Sequence, residues 1–341
     1  MLDHGFDTVI DVRSPVEFAE DHVPGAINLP VLNDEERAQV GTIYKQVSPF
    51  DARKLGAALV FRNASDHIEG PLAHHDGAWR PLVYCWRGGQ RSGSFAWLLS
   101  EIGWRSEVIK GGYKAYRALV VDVLHCQPLP FRLVQLGGYT GTAKTALLHR
   151  LSDSGVQVLD LEGLANHRGS LLGDCGPQPA QKAFETRLAQ RLSQFDPTRP
   201  VLVEAESSKI GRIILPPSLW DAMKSAPWIE VVAPIAARTN YLVREYDDIL
   251  SDKAGLREKL TPLRAHRGDT IVQNWLALSA AGDKRALTKA LMEEHYDLAY
   301  AKSMRALKPE LIARIEIVGF SADDLEKAAG QIEQVLQTTS I

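Results

Sequence analysis

The sequence predicts an α/β protein made of two parallel-sheet domains in tandem. Three observations carry this. Short β-rich apolar runs alternate with helical stretches through the first third of the chain. The segment Gln127-Pro128-Leu129-Pro130 then interrupts any helix, and the alternation restarts with a strand, a glycine-rich turn and a helix. A chain of 341 residues is long enough for two such domains, each with its own core.

In the first domain, residues 1–126, the strand runs are 8–12, 26–29, 81–85 and 106–110. Ser14-Pro15-Val16-Glu17 signals the first helix with an N-cap, a proline at the first helical position and a capping-box glutamate. Asp11 and Arg13 therefore fall at a strand end. Residues 112–125 read as the last helix before the proline linker. In the second domain, residues 127–341, strands are expected at 131–136, 157–161, 200–205, 229–233 and 314–318, with a helix from about 144. A charge-rich helical segment at about 235–312 is inserted before the last strand.

Composition bounds the function. A hydrophobic fraction of 45% with 24% charged residues is that of a globular protein, and no apolar run approaches the roughly 20 residues of a membrane span. The opening residues MLDHGFDTVIDV carry acidic side chains and no signal-peptide pattern, so a cytoplasmic protein is expected. Cys85, Cys126 and Cys175 are widely spaced and form no CxxC pair, which argues against a disulfide framework or a zinc knuckle. The net charge of −3 gives no global pull toward nucleic acid, so an RNA site would have to be a local basic patch.

Two loops carry chemistry. Cys85-Trp86-Arg87-Gly88-Gly89-Gln90-Arg91-Ser92 follows a strand and opens a helix, where backbone N–H groups converge on the sulfur and favour the thiolate. Gly88 and Gly89 let the backbone curl around an anion or a sulfur adduct. Arg87 and Arg91 either hold that anion or pair with a carboxylate, Asp11 being a candidate. Cys126, in the linker, and Cys175, in a Gly/Pro loop, are read as non-catalytic.

Gly137-Gly138-Tyr139-Thr140-Gly141-Thr142-Ala143-Lys144-Thr145 sits between strand and helix as a phosphate loop does. Gly138, Gly141 and Thr142 shape the cradle, Lys144 contacts the terminal phosphate, and Thr145 is placed to ligate magnesium if the ion is bound. Ala143 departs from the usual glycine before the lysine. A methyl there is tolerable at negative φ and costly at positive φ. Glu204 and Glu206 fall near the second phosphate-site motif, where they orient a substrate or bind a helix end. The segment from Asp160 to Ser170, with Glu162, His167 and Arg168, is either a polar loop or part of a substrate site.

The segments Asp11-Val12-Arg13-Ser14, His22 to Pro30, the Cys85 loop and Gly111-Gly112-Tyr113 resemble a rhodanese domain, in rhodanese order. Together with the phosphate loop, the Asp160–Ser170 segment, Glu204-Ala205-Glu206-Ser207-Ser208 and Glu36 to Thr42, the chain resembles the bacterial tRNA 2-selenouridine synthases. That resemblance implies a rhodanese-like domain fused to a P-loop domain. It also implies conversion of wobble 2-thiouridine in tRNA to 2-selenouridine, by S-geranylation with geranyl diphosphate and then selenation with selenophosphate. Geranyl diphosphate would lie on the phosphate loop, and Cys85 would serve selenation as carrier or as nucleophile. A selenophosphate-supplying enzyme is an implied partner. The competing reading is a P-loop ATPase or kinase fused to a sulfurtransferase. Arg238, Arg244, Arg257, Arg264, Arg267 and Lys284 form either a cationic path for tRNA or a solvated face. Trp275, Tyr296 and Tyr300 either stack a base or pack the core.

Overall fold

The computed structural model describes residues 5–169, 172–173 and 176–338. The chain divides into two compact units.

In the first unit, β1 (Thr8–Asp11), β2 (Ile27–Asn28), β3 (Pro81–Tyr84) and β4 (Glu107–Val108) form a parallel sheet in the order β2-β1-β3-β4. All four residues of β3 are buried, as expected for a central strand covered on both faces. Ile10, Val12, Val83, Phe95, Leu99 and Trp104 share its core. Between β2 and β3 stand two helices, Asp34–Gln46 and Pro49–Glu69. Asn33 and Glu36 cap the first reciprocally, and Ser48 with Pro49 starts the second.

At the end of β1, Arg13 is 1% exposed and clamps the equally buried Asp11 at 2.6 Å, while also donating to the carbonyl of Asp21. Its guanidinium lies 4.0 Å from the centre of the Tyr113 ring. Breaking such a buried pair leaves a bare charge. Arg13→Met should therefore lower unfolding stability by about 3–5 kcal/mol in urea titrations, and a loss under about 1 kcal/mol would show that Asp11 finds another partner.

The first unit is not contiguous. It comprises Met1–Gln127 and also Pro179–Ser193, which contains the helix Gln181–Leu192. The division expected from sequence is 1–126 and 127–341, and the helix Gln181–Leu192 groups with the first unit. The reason is a set of buried acids that need partners. Asp21 accepts from the hydroxyls of Thr186 at 2.9 Å and Tyr113 at 2.6 Å, and Glu185, 4% exposed, pairs with Arg117. Lys182 adds an ion pair to Glu20 at 2.7 Å.

The second unit holds β5 (Leu133–Gly138), β6 (Gln157–Leu159), β7 (Val201–Glu204), the small hairpin β8 (Lys209–Ile210) and β9 (Ile213–Ile214), β10 (Trp228–Val232) and β11 (Leu311–Glu316). Its main sheet is parallel, ordered β11-β10-β5-β7-β6, so the phosphate loop leaves the carboxyl end of the central strand. Helices from Ile235–Glu245 to Asp297–Leu307 build the insertion around Leu256, Leu260, Val272, Trp275 and Leu287. No helix among the described residues is long and apolar enough to cross a membrane.

Candidate active site: a thiol loop and a phosphate loop

The thiol loop lies in the first unit. Cys85 is 4% exposed, and its Sγ accepts from the Gly89 amide at 3.3 Å and sits 3.2 Å from the Ser92 hydroxyl. Burial pushes the thiol pKa up. Hydrogen bonds from the Ser92 hydroxyl and from the amides of Ser92, Arg87 and Gly89 outweigh it, and the net shift is downward. The loop is locked to the Gly111-Gly112-Tyr113 segment through Tyr113 N–H to Cys85 O and Lys114 N–H to Trp86 O, both 2.9 Å. Gly88 has φ +65°, and a Cβ there would stand 2.7 Å from the Ile109 carbonyl, so only glycine allows this approach.

The two arginines part company. Arg87 is exposed, whereas Arg91 is ion-paired with Glu17 at 2.9 Å, a carboxylate also bound by Arg37. Asp11 is taken by Arg13 and is not the partner of either. Glu17, read from sequence only as a helix cap, does both jobs, since the amide of Ser14 also donates to it. Cys126 is exposed at the end of the first unit. Cys175 and Ser170 lie outside the described residues.

The phosphate loop lies in the second unit, between β5 and the helix Lys144–Asp153. It opens on a pocket of about 380 Å³ whose walls include Gly141, Thr142, Lys144, Thr145, Glu162, Arg168 and Glu206. Lys144 Nζ rests on the Gly138 carbonyl at 3.0 Å, and the Thr142 hydroxyl closes the loop on the Tyr139 carbonyl at 2.8 Å. Gly141 has φ +85°, and a Cβ there would meet Leu242 at 2.8 Å. Ala143 has φ +58°, the costly case. Its methyl is 5% exposed and packs into the core with Leu147 and Leu148, and that burial offsets part of the strain.

Behind the loop sits a knot of carboxyls. Thr145 donates to Glu162 at 3.3 Å, the Glu162 amide donates to Glu204 at 2.9 Å, and the Glu162 and Glu206 carboxyls lie close enough to shift each other's pKa. Glu204 is 1% exposed with one oxygen unpartnered, and burial followed by the Glu162 charge holds its pKa well above the usual range. The same two causes push Glu206 up to about 8, with Lys144 opposing. Burial also raises Glu162, against the pull of Lys144. Among the described residues no group of three or more His, Cys, Asp or Glu is arranged to hold a metal ion.

A carboxyl whose folded pKa exceeds its unfolded value of 4.5 favours the fold at low pH, and that contribution is lost as pH rises through the folded value. Stability should therefore fall between about pH 4.5 and 8, and Glu206→Gln should flatten the fall. Thermal midpoints of the two proteins across that range test this, and parallel curves would contradict it.

Other expected residues fall outside the pocket wall. Asp160 caps the short helix Leu161–Ala165 through Gly163 N–H at 2.6 Å and pairs with His149 at 3.1 Å. His167 Nδ1 accepts from the Gly169 amide. Arg168 does reach the pocket, stacked on Tyr246 at 4.9 Å. Arg238 is not available to RNA. It is 6% exposed, ion-paired with Asp297 at 2.8 Å, and braces the phosphate loop by donating to the Thr140 carbonyl. Arg264 pairs with Asp269, Lys284 with Asp247, Arg244 with Glu245, and Arg267 donates to His295, while Arg244 and Arg257 are exposed. Trp275 is fully buried, and Tyr300 packs on Tyr139 at 4.6 Å. Tyr241, Glu245 and Tyr246 line the pocket without any motif to announce them.

Two family models match the chain. Residues 131–266 match the "tRNA 2-selenouridine synthase AAA domain" and residues 1–119 the "Rhodanese-like domain". A tRNA 2-selenouridine synthase of Nitrosomonas europaea is 39% identical over 264 residues, covering 75% of this chain and 68% of its own. One from Hahella chejuensis is 34% identical and covers 87% and 85%. The chain belongs to the tRNA 2-selenouridine synthase family. A further member, from Pseudomonas syringae pv. tomato, is 35% identical and covers 91% of both chains. In this family member the two matched domains contain the two loops described above, one in each.

Proposed function

We propose that the protein replaces the 2-thio sulfur of a wobble uridine in tRNA by selenium, in two steps served by its two loops. In the first, the thiocarbonyl sulfur attacks C1 of geranyl diphosphate, the C–O bond breaks and diphosphate leaves. Lys144 and the amides at the helix start stabilise the charge developing on the leaving group. In the second, selenium from selenophosphate is added at C2 of the uracil ring, geranylthiol departs and water takes up the phosphoryl group. Cys85, held toward the thiolate, serves this step as nucleophile: its sulfur bonds to C2 as geranylthiol leaves, and selenium then displaces the Cys85 thiolate.

The feature that favours this reading over ATP chemistry is the cluster of buried carboxyls, Glu162, Glu204 and Glu206, beside Lys144, whose burial raises their pKa values. A kinase or ATPase relies on ionised carboxylates to hold magnesium and position the nucleophile. Alkylation of a thiocarbonyl sulfur needs no strong base, since the N3 proton of the uracil passes to the departing diphosphate, and carboxyls with raised pKa values repel a diphosphate less. If magnesium accompanies the diphosphate, the Thr145 hydroxyl is the group placed to hold it, and the ion would neutralise leaving-group charge.

Incubation with thiolated tRNA and geranyl diphosphate, with and without selenophosphate, followed by mass spectrometry of the nucleosides, tests the proposal. S-geranyl-2-thiouridine and then 2-selenouridine are expected. ATP hydrolysis with neither product would favour the ATPase–sulfurtransferase reading.

A further inference from the structure

The helices Asp34–Gln46 and Pro49–Glu69 are the part of the first unit for which the two loops have no use. Val47 and Ser48 alone join them, and at this corner Tyr44, Val47 and Phe50 are each more than half exposed. Lys45, Arg53 and Lys54 flank them in sequence against a single acid, Asp51, in a chain whose net charge is −3. Asp51 is taken by Lys54, while Lys45 and Arg53 have no ion-pair partner among the described residues. Tyr44 and Arg53 also line a cavity of about 320 Å³, within the roughly 300–1,000 Å³ of small-ligand pockets. Val40, Ala57 and Val60 make part of its wall apolar. Gln90, Arg91 and Ser94, at the start of the helix Gln90–Ile102, supply a polar part. That part adjoins the thiol loop in sequence, since Gly89, before Gln90, and Ser92, after Arg91, both donate to Cys85 Sγ. Arg91 is occupied by Glu17, whereas the side-chain amide of Gln90 is exposed and has no hydrogen-bond partner among the described residues.

We infer that this corner and its cavity form a binding site for a single-stranded RNA loop. Tyr44 and Phe50 stack its bases, Lys45 and Arg53 meet its phosphates, and the cavity receives the base that reacts. The inference rests on the reading of the protein as one that modifies a tRNA base, and adds where the RNA lies on the first unit. Three physical points support it. Aromatic faces stack any base, and cations beside them hold the backbone, a pairing that suits a single strand. A duplex would use the cations only and leave Tyr44, Val47 and Phe50 in water. Chemistry on a base needs that base drawn out of its stack and held among aromatic and apolar side chains, with polar groups reading its edge. The cavity has such a wall in Val40, Ala57 and Val60, and the Gln90 amide can donate to a base carbonyl from within the loop that carries the thiol.

Fluorescence anisotropy of the full chain with a labelled RNA hairpin, its loop carrying 2-thiouridine at the wobble position, tests this against a duplex of equal length. Tyr44→Ala and Phe50→Ala should each weaken hairpin binding about fivefold or more and leave duplex binding within about twofold. Both side chains are exposed, so neither change opens the core. Arg53→Ala should lower the slope of log affinity against log salt by about 0.7, the value for one phosphate of a single strand. Ala57→Phe, which fills the cavity, should weaken the hairpin about fivefold, and that loss should vanish on a hairpin whose wobble nucleotide lacks its base. Should Ala57→Phe fail to fold, Ala57→Leu takes its place. Hairpin binding within about twofold of native in Tyr44→Ala and Phe50→Ala alike, or an unchanged salt slope in Arg53→Ala, would overturn the surface. A loss in the Ala57 variant that persists on the abasic hairpin would overturn the cavity. Either result leaves the proposed reaction standing if the native protein still yields 2-selenouridine. Native protein that binds neither the hairpin nor thiolated tRNA would overturn the tRNA reading itself.

Discussion

Replacing Cys85 by alanine should slow the formation of 2-selenouridine by a factor on the order of 10³ or more, while S-geranyl-2-thiouridine continues to form at the native rate. The direction follows from the environment of the sulfur. Its pKa is drawn down by the Ser92 hydroxyl and by loop amides, and alanine keeps the backbone cradle but removes the sulfur that attacks C2. The asymmetry follows from the division of labour, since the phosphate loop and its carboxyl knot belong to the other unit. Nucleoside mass spectrometry over a time course reads both products in one sample. Selenation in the variant at more than one-tenth of the native rate would remove Cys85 from the step. Ser92→Ala, which deletes one donor to the sulfur, should move the pH dependence of selenation to higher pH without abolishing it.

The second large effect is expected at Lys144. Its ammonium rests on the Gly138 carbonyl at the mouth of the loop, beside Glu206, whose pKa burial pushes up to about 8. A phosphate oxygen would replace that carbonyl with a full charge partner. Charge-assisted hydrogen bonds contribute about 1.5–3 kcal/mol, so Lys144→Ala should weaken pyrophosphate binding by about 10- to 100-fold. The alkylation rate should fall further, since charge on the diphosphate grows toward the transition state. Lys144→Arg should recover part of the binding and less of the rate, because the guanidinium is wider than the ammonium it replaces. Native pyrophosphate affinity in Lys144→Ala would mean that the loop amides alone hold the anion.

Both loops were legible in the sequence because each is a local arrangement, a strand end, glycines and a helix start within a dozen residues. The strand runs were legible for the same reason, and differ from the observed bounds by a few residues at most, as with 314–318 against Leu311–Glu316. What the sequence hid is what depends on contacts between distant segments. Arg91 and Asp11 are each an unassigned charge until Glu17 and Arg13 are seen beside them. Arg238 looks like a surface cation on a helix until Asp297 is found 2.8 Å away. Ala143 could be posed as a question about one backbone angle, and only the folded loop answers it, at φ +58°. The walls of the phosphate pocket from Tyr241 to Tyr246 lie nearly a hundred residues from the loop they cover, and no spacing rule joins them.

The return of the helix Gln181–Leu192 to the first unit bears on the order in which the protein is made. When Gln127 leaves the ribosome the first sheet is complete, but Asp21 and Arg117 still lack Thr186 and Glu185. Those partners are coded beyond the phosphate loop, and at about 5–20 residues per second they arrive several seconds later. The amino-terminal unit therefore matures only when the opening segment of the next one, Pro128–Gln178, has already been synthesised. A nascent chain halted between the two would display Asp21 and Arg117 without these partners, and a separately expressed thiol domain should include that helix.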